Sequence, residues 1–169
     1  MGKTTVVQRV IDELIGRGFK VGGMITREVR RERIRIGFEI EDVSTKHKGW
    51  LAHVNQPYGP QIGKYRVNLR DLEVGAKAIL NATMHADIIV IDEIGPMELT
   101  SESFKDSVMR AVNSEKVLLG TIHYRVKGSF VSAIKERKDA EMIEITLKNR
   151  EGLPQMVVRK IAEIVKSRY

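Results

Sequence analysis

The sequence contains no cysteine, and this absence rules out disulfides and thiolate-bound metal sites. It also has no apolar run that approaches the roughly 20 residues of a membrane-spanning helix. No secretory signal precedes the first predicted helix. These absences favour a cytoplasmic protein that has no membrane partner.

Aromatic residues are few, at 5% of the chain. Trp50, Tyr58, Tyr65 and Tyr124 are scattered along the sequence. A platform that stacks single-stranded nucleic acid is therefore weakly supported. The net charge of +7 suits either a nucleic-acid partner or an enzyme that handles anionic phosphates. Nucleic acid stays open as a partner but is not favoured.

Hydrophobic residues make up 42% of the 169 residues and charged residues 30%, which is typical of globular proteins. The absence of cysteine and the many Lys, Arg and Glu residues resemble the composition of thermophile proteins. This length predicts a single domain over residues 1–169. After residue 68, predicted strands and helices alternate, which predicts an α/β fold with a mostly parallel sheet and helices on both faces.

Residues 20–43 predict an antiparallel hairpin, because apolar and polar residues alternate in its second strand. Arg31 and Arg33 are interpreted as its solvated tip. Arg27 lies nearer a strand end, where a phosphate contact is open to it.

Local signals predict most of the other elements. Apolar residues from Val6 to Ile15 recur at helical spacing, and Asn68 is a predicted N-cap of a second helix. Ser101 or Ser103 opens a third helix, and Pro154 lies in the first turn of the last one. Shorter patterns predict a strand at 47–54, a Gly/Pro-rich loop at 57–65, a buried strand at 116–123, a short helix at 126–138 and a last strand at Met142–Ile145.

The stretch ADIIVIDEIGPMEL, residues 86–99, carries an apolar run that ends in Asp92 and Glu93. Such a run predicts a strand covered on both faces, and ligands of parallel sheets bind beyond the carboxyl ends of the strands. Asp92 is a candidate ligand of magnesium, and Glu93 is a candidate to orient or deprotonate a water molecule. The alternative is a buried strand followed by an acidic loop.

The chain begins with MGKTT, and Gly2-Lys3-Thr4 matches the end of the phosphate-binding signature G-x-x-x-x-G-K-[ST]. In that signature amides bind phosphate oxygens, the lysine reaches the outer phosphates and the hydroxyl binds magnesium. Lys3 and Thr4 are the candidates for the last two roles, and Thr5 for an inner phosphate. The alternative is that Thr4 or Thr5 caps an ordinary helix.

A second buried strand ends in polar groups, at His123 and the nearby Arg125. A polar side chain at the end of a neighbouring strand is well placed to sense a terminal phosphate. A structural role for His123 is the alternative.

Several segments together resemble a known family. GKTT, ITREVR, GPQIGKYRVN, IDEIGPMEL and TLKNR are similar to segments of the small P-loop nucleoside-triphosphatases first described from thermophiles, the cancer-related nucleoside-triphosphatase family. The resemblance covers nearly the whole chain. It implies a P-loop α/β fold and Mg²⁺-dependent hydrolysis of ATP, GTP and other nucleoside triphosphates to the diphosphate and phosphate.

The resemblance also implies roles for particular residues. Lys3 and Thr4 belong to the phosphate loop, Asp92 binds magnesium and Glu93 activates water. Asn149 and Arg150 lie in the loop that approaches the nucleobase.

The chain departs from the family at its first residue. Family members resemble strand–G-x-P-G-x-G-K-T-T, whereas this sequence starts two residues before Lys3. We expect the first strand to be missing from the middle of the sheet and hydrolysis to be impaired, unless the start lies upstream.

Two other functions stay open. One is a nucleoside or nucleotide kinase that holds its acceptor with the Arg-rich hairpin, although adjacent Asp92 and Glu93 favour water as the acceptor. The other is a nucleic-acid-binding P-loop protein, which the charge of +7 suggests.

Overall fold

One mixed sheet organises the computed structural model, which describes residues 2–168. The strands are β1 Val21–Arg31, β2 Ile34–Asp42, β3 Lys48–His53, β4 Gln61–Ile62, β5 Tyr65–Val67, β6 Ile88–Ile94 and β7 Val117–Ile122. The helices are α1 Lys3–Gly16, α2 Leu69–His85, α3 Glu102–Val112, α4 Ser129–Lys135 and α5 Leu153–Ser167, with a 3-10 turn at Glu98–Thr100.

The sheet has a parallel part and an antiparallel part. Its strand order is β4-β5-β3-β2-β1-β6-β7. Strand β6 lies between β1 and β7 and is parallel to both, whereas β1 to β5 pair with one another antiparallel. The predicted α/β class is confirmed, but the sheet is mixed rather than mostly parallel, because only two of its six strand pairs are parallel.

Hydrophobic clusters cover both faces of this sheet, which explains the unbroken apolar run of β6. Ile89 and Ile91 belong to the cluster that includes residues of α2 and α3, whereas Ile88 and Val90 belong to the cluster of α1 and α5. All four side chains are fully buried. Since side chains alternate along a strand, Asp92 follows Val90 toward the α1 side.

The predicted caps and the predicted hairpin tip are confirmed. The Asn68 side chain accepts a hydrogen bond from the Asp71 amide, and Ser101 caps α3 by accepting one from the Phe104 amide. Arg31 and Arg33 are exposed at the tip between β1 and β2. Pro154 lies in the first turn of α5, as predicted.

The prediction of a last strand at Met142–Ile145 is wrong. In the described structure this segment has no regular secondary structure, and Met142 is exposed. Strand formation requires a neighbour that takes up the backbone hydrogen bonds, and β7 at that edge pairs within residues 2–168 only with β6. The Asn149 side chain instead takes up backbone hydrogen bonds of this segment, since it accepts from the Thr146 amide and donates to the Glu144 carbonyl.

One further expectation is corrected. The segment 57–65 is more than a loop, because it contains β4 and the first residue of β5, which form a small hairpin around Gly63. Within residues 2–168 no strand precedes α1, and the strands from β3 through β2, β1 and β6 to β7 are each hydrogen-bonded to the next. No helix within residues 2–168 is long and apolar enough to cross a membrane.

Candidate active site

Asp92 and Glu93 lie where β6 approaches the N-terminus of α1. Asp92 is completely buried, and its Oδ1 accepts a hydrogen bond of 2.5 Å from the hydroxyl of Thr121 on β7. Its Oδ2 has no hydrogen-bond partner among the described residues. A buried carboxylate oxygen without a partner is costly and calls for an explanation.

Lys3 is the link between α1 and β6. Its Nζ lies 2.8 Å from Glu93 Oε2, and both side chains are partly exposed. Two candidates that are far apart in sequence therefore form a direct ion pair. The structure thus joins the GKTT segment and the acidic strand end into one site.

Burial is the main influence on Asp92, and it raises the pKa of this carboxyl group above its ordinary value. The negative charge of Glu93 raises this pKa further. The Thr121 and Thr4 hydroxyls and the Lys3 ammonium lower it, so Thr4 also lies close to Asp92. Lys3, Thr4 and Asp92 thus share one environment.

The beginning of α1 decides the capping alternative for Thr4 and Thr5. The helix starts at Lys3 with Gly2 as the N-cap residue in extended conformation. No side chain of the described chain caps this end, so neither threonine has the predicted capping role. The first-turn amides of a helix have no partner within the helix, and they attract anions. Gly2, Lys3, Thr4 and Thr5 therefore present amides and polar side chains beside Asp92 and Glu93.

His123 lies beside the acidic strand end, although it does not touch the acids. Its amide donates to the carbonyl of Ile94, the last residue of β6. Its ring stacks on Tyr124, and the Arg125 guanidinium lies 5.2 Å from the centroid of the Tyr124 ring. These interactions, with a hydrogen bond from the Arg125 amide to His123 Nδ1, hold Arg125 at the exposed rim. Within residues 2–168 neither His123 nor Arg125 forms a hydrogen bond or ion pair with Lys3 or Asp92.

Arg27 lies on the α1 side of the sheet but is engaged elsewhere. It donates to Gln8 of α1 at 2.8 Å and lies 3.9 Å from the buried Glu41 carboxylate. The structure therefore places Arg27 next to α1 without bringing it to the acids.

Asn149 and Arg150 occupy the loop before α5. The Asn149 side chain is used within this loop, and the Nε of Arg150 is buried without a hydrogen-bond partner among the described residues. The neighbouring Glu151 lies 3.6 Å from Arg9 of α1. The loop therefore lies beside the helix that opens with Lys3.

Glu98 is a residue of this region that the sequence interpretation missed. It is buried at 3% exposure in the 3-10 turn after β6, and its pKa is raised to about 8. Burial is the main cause, and the charges of Glu93 and Asp92 add to it. Its place in the segment IDEIGPMEL was visible in the sequence, but nothing in the hydrophobic pattern distinguished it from an exposed loop glutamate.

Comparison with known proteins gives consistent results. The sequence pattern of a family described as NTPase matches residues 1–158. The chain is 47% identical over 167 residues to nucleoside-triphosphatase THEP1 of Thermofilum pendens. This match covers 98% of this chain and 92% of that protein. It is 42% identical over 162 residues to the protein of the same name from Methanosarcina acetivorans, covering 95% and 90%.

Solved structures show the same architecture. The crystal structure of THEP1 from the hyperthermophile Aquifex aeolicus matches with a TM-score of 0.83 at 29% identity. The solution structure of a human cancer-related nucleoside triphosphatase matches with a TM-score of 0.80 at 31% identity. Each match covers 95% of this chain and 92% of the other chain. The arrangement of sheet and helices is therefore shared with both proteins.

Proposed function

Because the chain belongs to the NTPase family, we propose that it hydrolyses nucleoside triphosphates such as ATP and GTP to the nucleoside diphosphate and phosphate. The observation that carries this proposal is the ion pair between Lys3 and Glu93 beside the buried Asp92. This arrangement brings together the candidate lysine for the phosphates, the candidate carboxylate for the metal and the candidate carboxylate for the water.

The start of α1 binds the phosphates. The amides of Lys3, Thr4 and Thr5 lie in the first turn, where the helix dipole favours negative charge. The Lys3 ammonium reaches the outer phosphates. No acidic residue lies in this turn, so no fixed carboxylate of α1 opposes a bound triphosphate there.

The residues present fit a magnesium ion. Asp92 Oδ2 is a buried carboxylate oxygen without a hydrogen-bond partner in the described chain, and the Thr4 hydroxyl lies near the same side chain. Magnesium prefers oxygen ligands and is usually held by one or two protein groups together with substrate phosphates. Asp92 and Thr4 would hold the ion, which when bound neutralises charge on the phosphate oxygens.

Glu93 acts on the attacking water. The water oxygen forms a bond to the γ-phosphorus while the bond from that phosphorus to the β–γ bridging oxygen breaks, and the water proton passes to Glu93. Glu93 is 24% exposed at its side chain, so a water molecule can reach it. The triphosphate competes with Glu93 for the Lys3 ammonium and thereby frees a Glu93 oxygen for the water.

The direct test is phosphate release from ATP and from GTP with Mg²⁺ present and no acceptor added. We expect turnover with both nucleotides, its loss on chelation of the metal, and little activity in Asp92→Asn. A strict requirement for an added nucleoside would contradict hydrolysis and support the kinase alternative instead.

A further inference from the structure

Glu98 is a buried acid next to the proposed catalytic acid, and the mechanism so far gives it no task. It lies in the 3-10 turn Glu98–Thr100, shortly beyond the end of β6. Carboxyl groups are rarely buried this completely unless they are paired or hydrogen-bonded. Glu98 follows Glu93 by more than one helical turn in sequence, but the 3-10 turn folds its side chain back.

Gly95 shows how close the two carboxyl groups are. A Cβ atom at position 95 would lie 2.8 Å from Glu98 Oε2 and 3.2 Å from Glu93 Oε1. Both oxygens therefore border the same small space above the Gly95 backbone. A side chain at this position would collide with the Glu98 carboxyl group and press on that of Glu93.

The two carboxylate oxygens of Glu93 face different neighbours. Its Oε2 faces the Lys3 ammonium at 2.8 Å, whereas its Oε1 faces the Gly95 space that Glu98 also borders. When a triphosphate competes for Lys3, the ion pair at Glu93 Oε2 weakens. The proximity of Glu98 to Glu93 Oε1 does not depend on the phosphates.

We propose that Glu98 is a positioning residue, whose carboxyl group holds the Glu93 carboxylate in place for its contact with the attacking water. The inference rests on the proposed hydrolysis, for which Glu93 is the base.

The charges around Glu98 favour a protonated carboxyl group in this role. The neighbouring charged groups are the Glu93 and Asp92 carboxylates of β6, and Lys3 of α1 pairs with the far oxygen of Glu93. Burial is the main cause that raises the pKa of Glu98, and the two carboxylates add to it, whereas hydrogen bonds from the Glu98 and Gly95 amides lower it. In the proposed role a protonated Glu98 would donate an O–H to the Glu93 carboxylate, whereas an ionised Glu98 would repel it.

Three variants of the full chain test the proposal, with ATP and Mg²⁺ as the assay. Glu98→Gln keeps a neutral donor of nearly the same size, whereas Glu98→Leu fills the space without a donor. Glu102→Gln is the matched control, because Glu102 lies on the exposed start of α3 and pairs only with Lys105 among the described residues. Melting temperatures by circular dichroism establish that each variant is folded.

We expect Glu98→Leu to lower kcat by about 30-fold with KM nearly unchanged, a size typical of a misplaced catalytic group. We expect Glu98→Gln to keep kcat within about threefold of the parent chain, since a donor remains. The parent chain loses turnover on the alkaline side as Glu98 loses its proton, and Glu98→Gln lacks that loss. Glu102→Gln retains both the rate and the pH profile of the parent.

Full turnover in Glu98→Leu would overturn the proposal, and so would identical pH profiles for the parent chain and Glu98→Gln. If Glu98→Leu does not fold, the profile of Glu98→Gln decides alone. Absence of phosphate release from the folded parent chain would contradict the hydrolase function itself, which distinguishes the two failures.

Discussion

At the scale of single residues, the Lys3–Glu93 ion pair links binding and chemistry. Lys3 serves the phosphates and Glu93 serves the water, yet each is the other's partner in the structure. An ion pair between partly exposed groups is worth about 0–1 kcal/mol. A triphosphate, with several negative charges at the start of α1, can replace Glu93 at small cost.

The first prediction follows from this competition. Glu93→Gln should lower hydrolysis by about 100-fold or more, the usual scale for loss of a general base. Magnesium–nucleotide binding should be kept, and affinity should rise by up to about fivefold because a neutral amide no longer competes for the Lys3 ammonium. Phosphate release gives the rate, and calorimetry gives the affinity. Unchanged turnover would remove Glu93 from the mechanism, and a large loss of affinity would show that Glu93 supports binding.

The second prediction concerns the stability cost of Glu98. The native state holds the Glu98 proton up to a pH of about 8, whereas the unfolded chain releases it near its ordinary pKa of 4.5. The native state therefore binds more protons across this interval, so the free energy of unfolding falls as pH rises from about 4.5 to about 8. The loss is a few kcal/mol, since one pKa unit corresponds to about 1.4 kcal/mol.

Urea unfolding at pH 6 and pH 9, with a chelator present, measures this effect. Asp92 contributes in the same direction, so the comparison of interest is between the parent chain and Glu98→Gln. The Glu98→Gln variant should lose less stability between the two pH values and should be the more stable of the two at pH 9. Equal losses in both proteins would show that Glu98 ionises freely in the folded state.

At the scale of elements, the sequence predicted those whose signals are local. The apolar run of β6, the Asn68 cap and Pro154 of α5 depend on short patterns, and the structure has each where it was expected. The strand at Met142–Ile145 failed because a strand also needs a neighbour, which no local pattern supplies. Glu98 was missed for the same reason, because its importance comes from the turn that folds it against Glu93.

Gly95 gives a prediction about that turn. Gly95→Ala places a methyl group against Glu98 Oε2 and Glu93 Oε1, so at least one carboxyl group must move. We expect kcat to fall by at least about tenfold, because a catalytic group displaced by an ångström loses much of its effect. Gly16→Ala is the matched control, since a Cβ atom there meets nothing within 4 Å. A Gly95→Ala enzyme as active as Gly16→Ala would mean that the carboxyl groups tolerate displacement.

The loop before α5 gives another prediction at this scale. Asn149 holds this loop through hydrogen bonds to Thr146 and Glu144, and the buried Nε of Arg150 lies 3.9 Å from Glu151 without a hydrogen-bond partner among the described residues. If the loop approaches the nucleobase, Asn149→Ala should raise KM severalfold with kcat nearly unchanged, since only substrate binding is affected. Steady-state kinetics with ATP, GTP, CTP and UTP measure this. A change confined to kcat would place the loop in the chemical step instead.

At the scale of the whole molecule, several of the basic side chains are paired with carboxylates. The hairpin of β1 and β2 is rich in arginine, yet Arg30 and Arg35 both contact Glu28. On the α1 side of the sheet, Arg27, Lys46 and Lys48 surround the buried Glu41. These five cations meet three carboxylates, since Lys48 also lies 3.7 Å from Glu39. Part of the positive charge on these surfaces is therefore engaged within the protein.

The last prediction concerns whether the net charge of +7 reflects a nucleic-acid partner. Single-stranded RNA and DNA should not stimulate phosphate release, and any binding to them should weaken only slightly as salt rises. A protein that neutralises several phosphates loses about a thousandfold or more in affinity between 50 and 200 mM salt. Fluorescence polarisation with a labelled oligonucleotide across that range, together with turnover in its presence, provides the comparison. A steep salt dependence accompanied by stimulated turnover would instead assign the positive charge to a nucleic-acid partner.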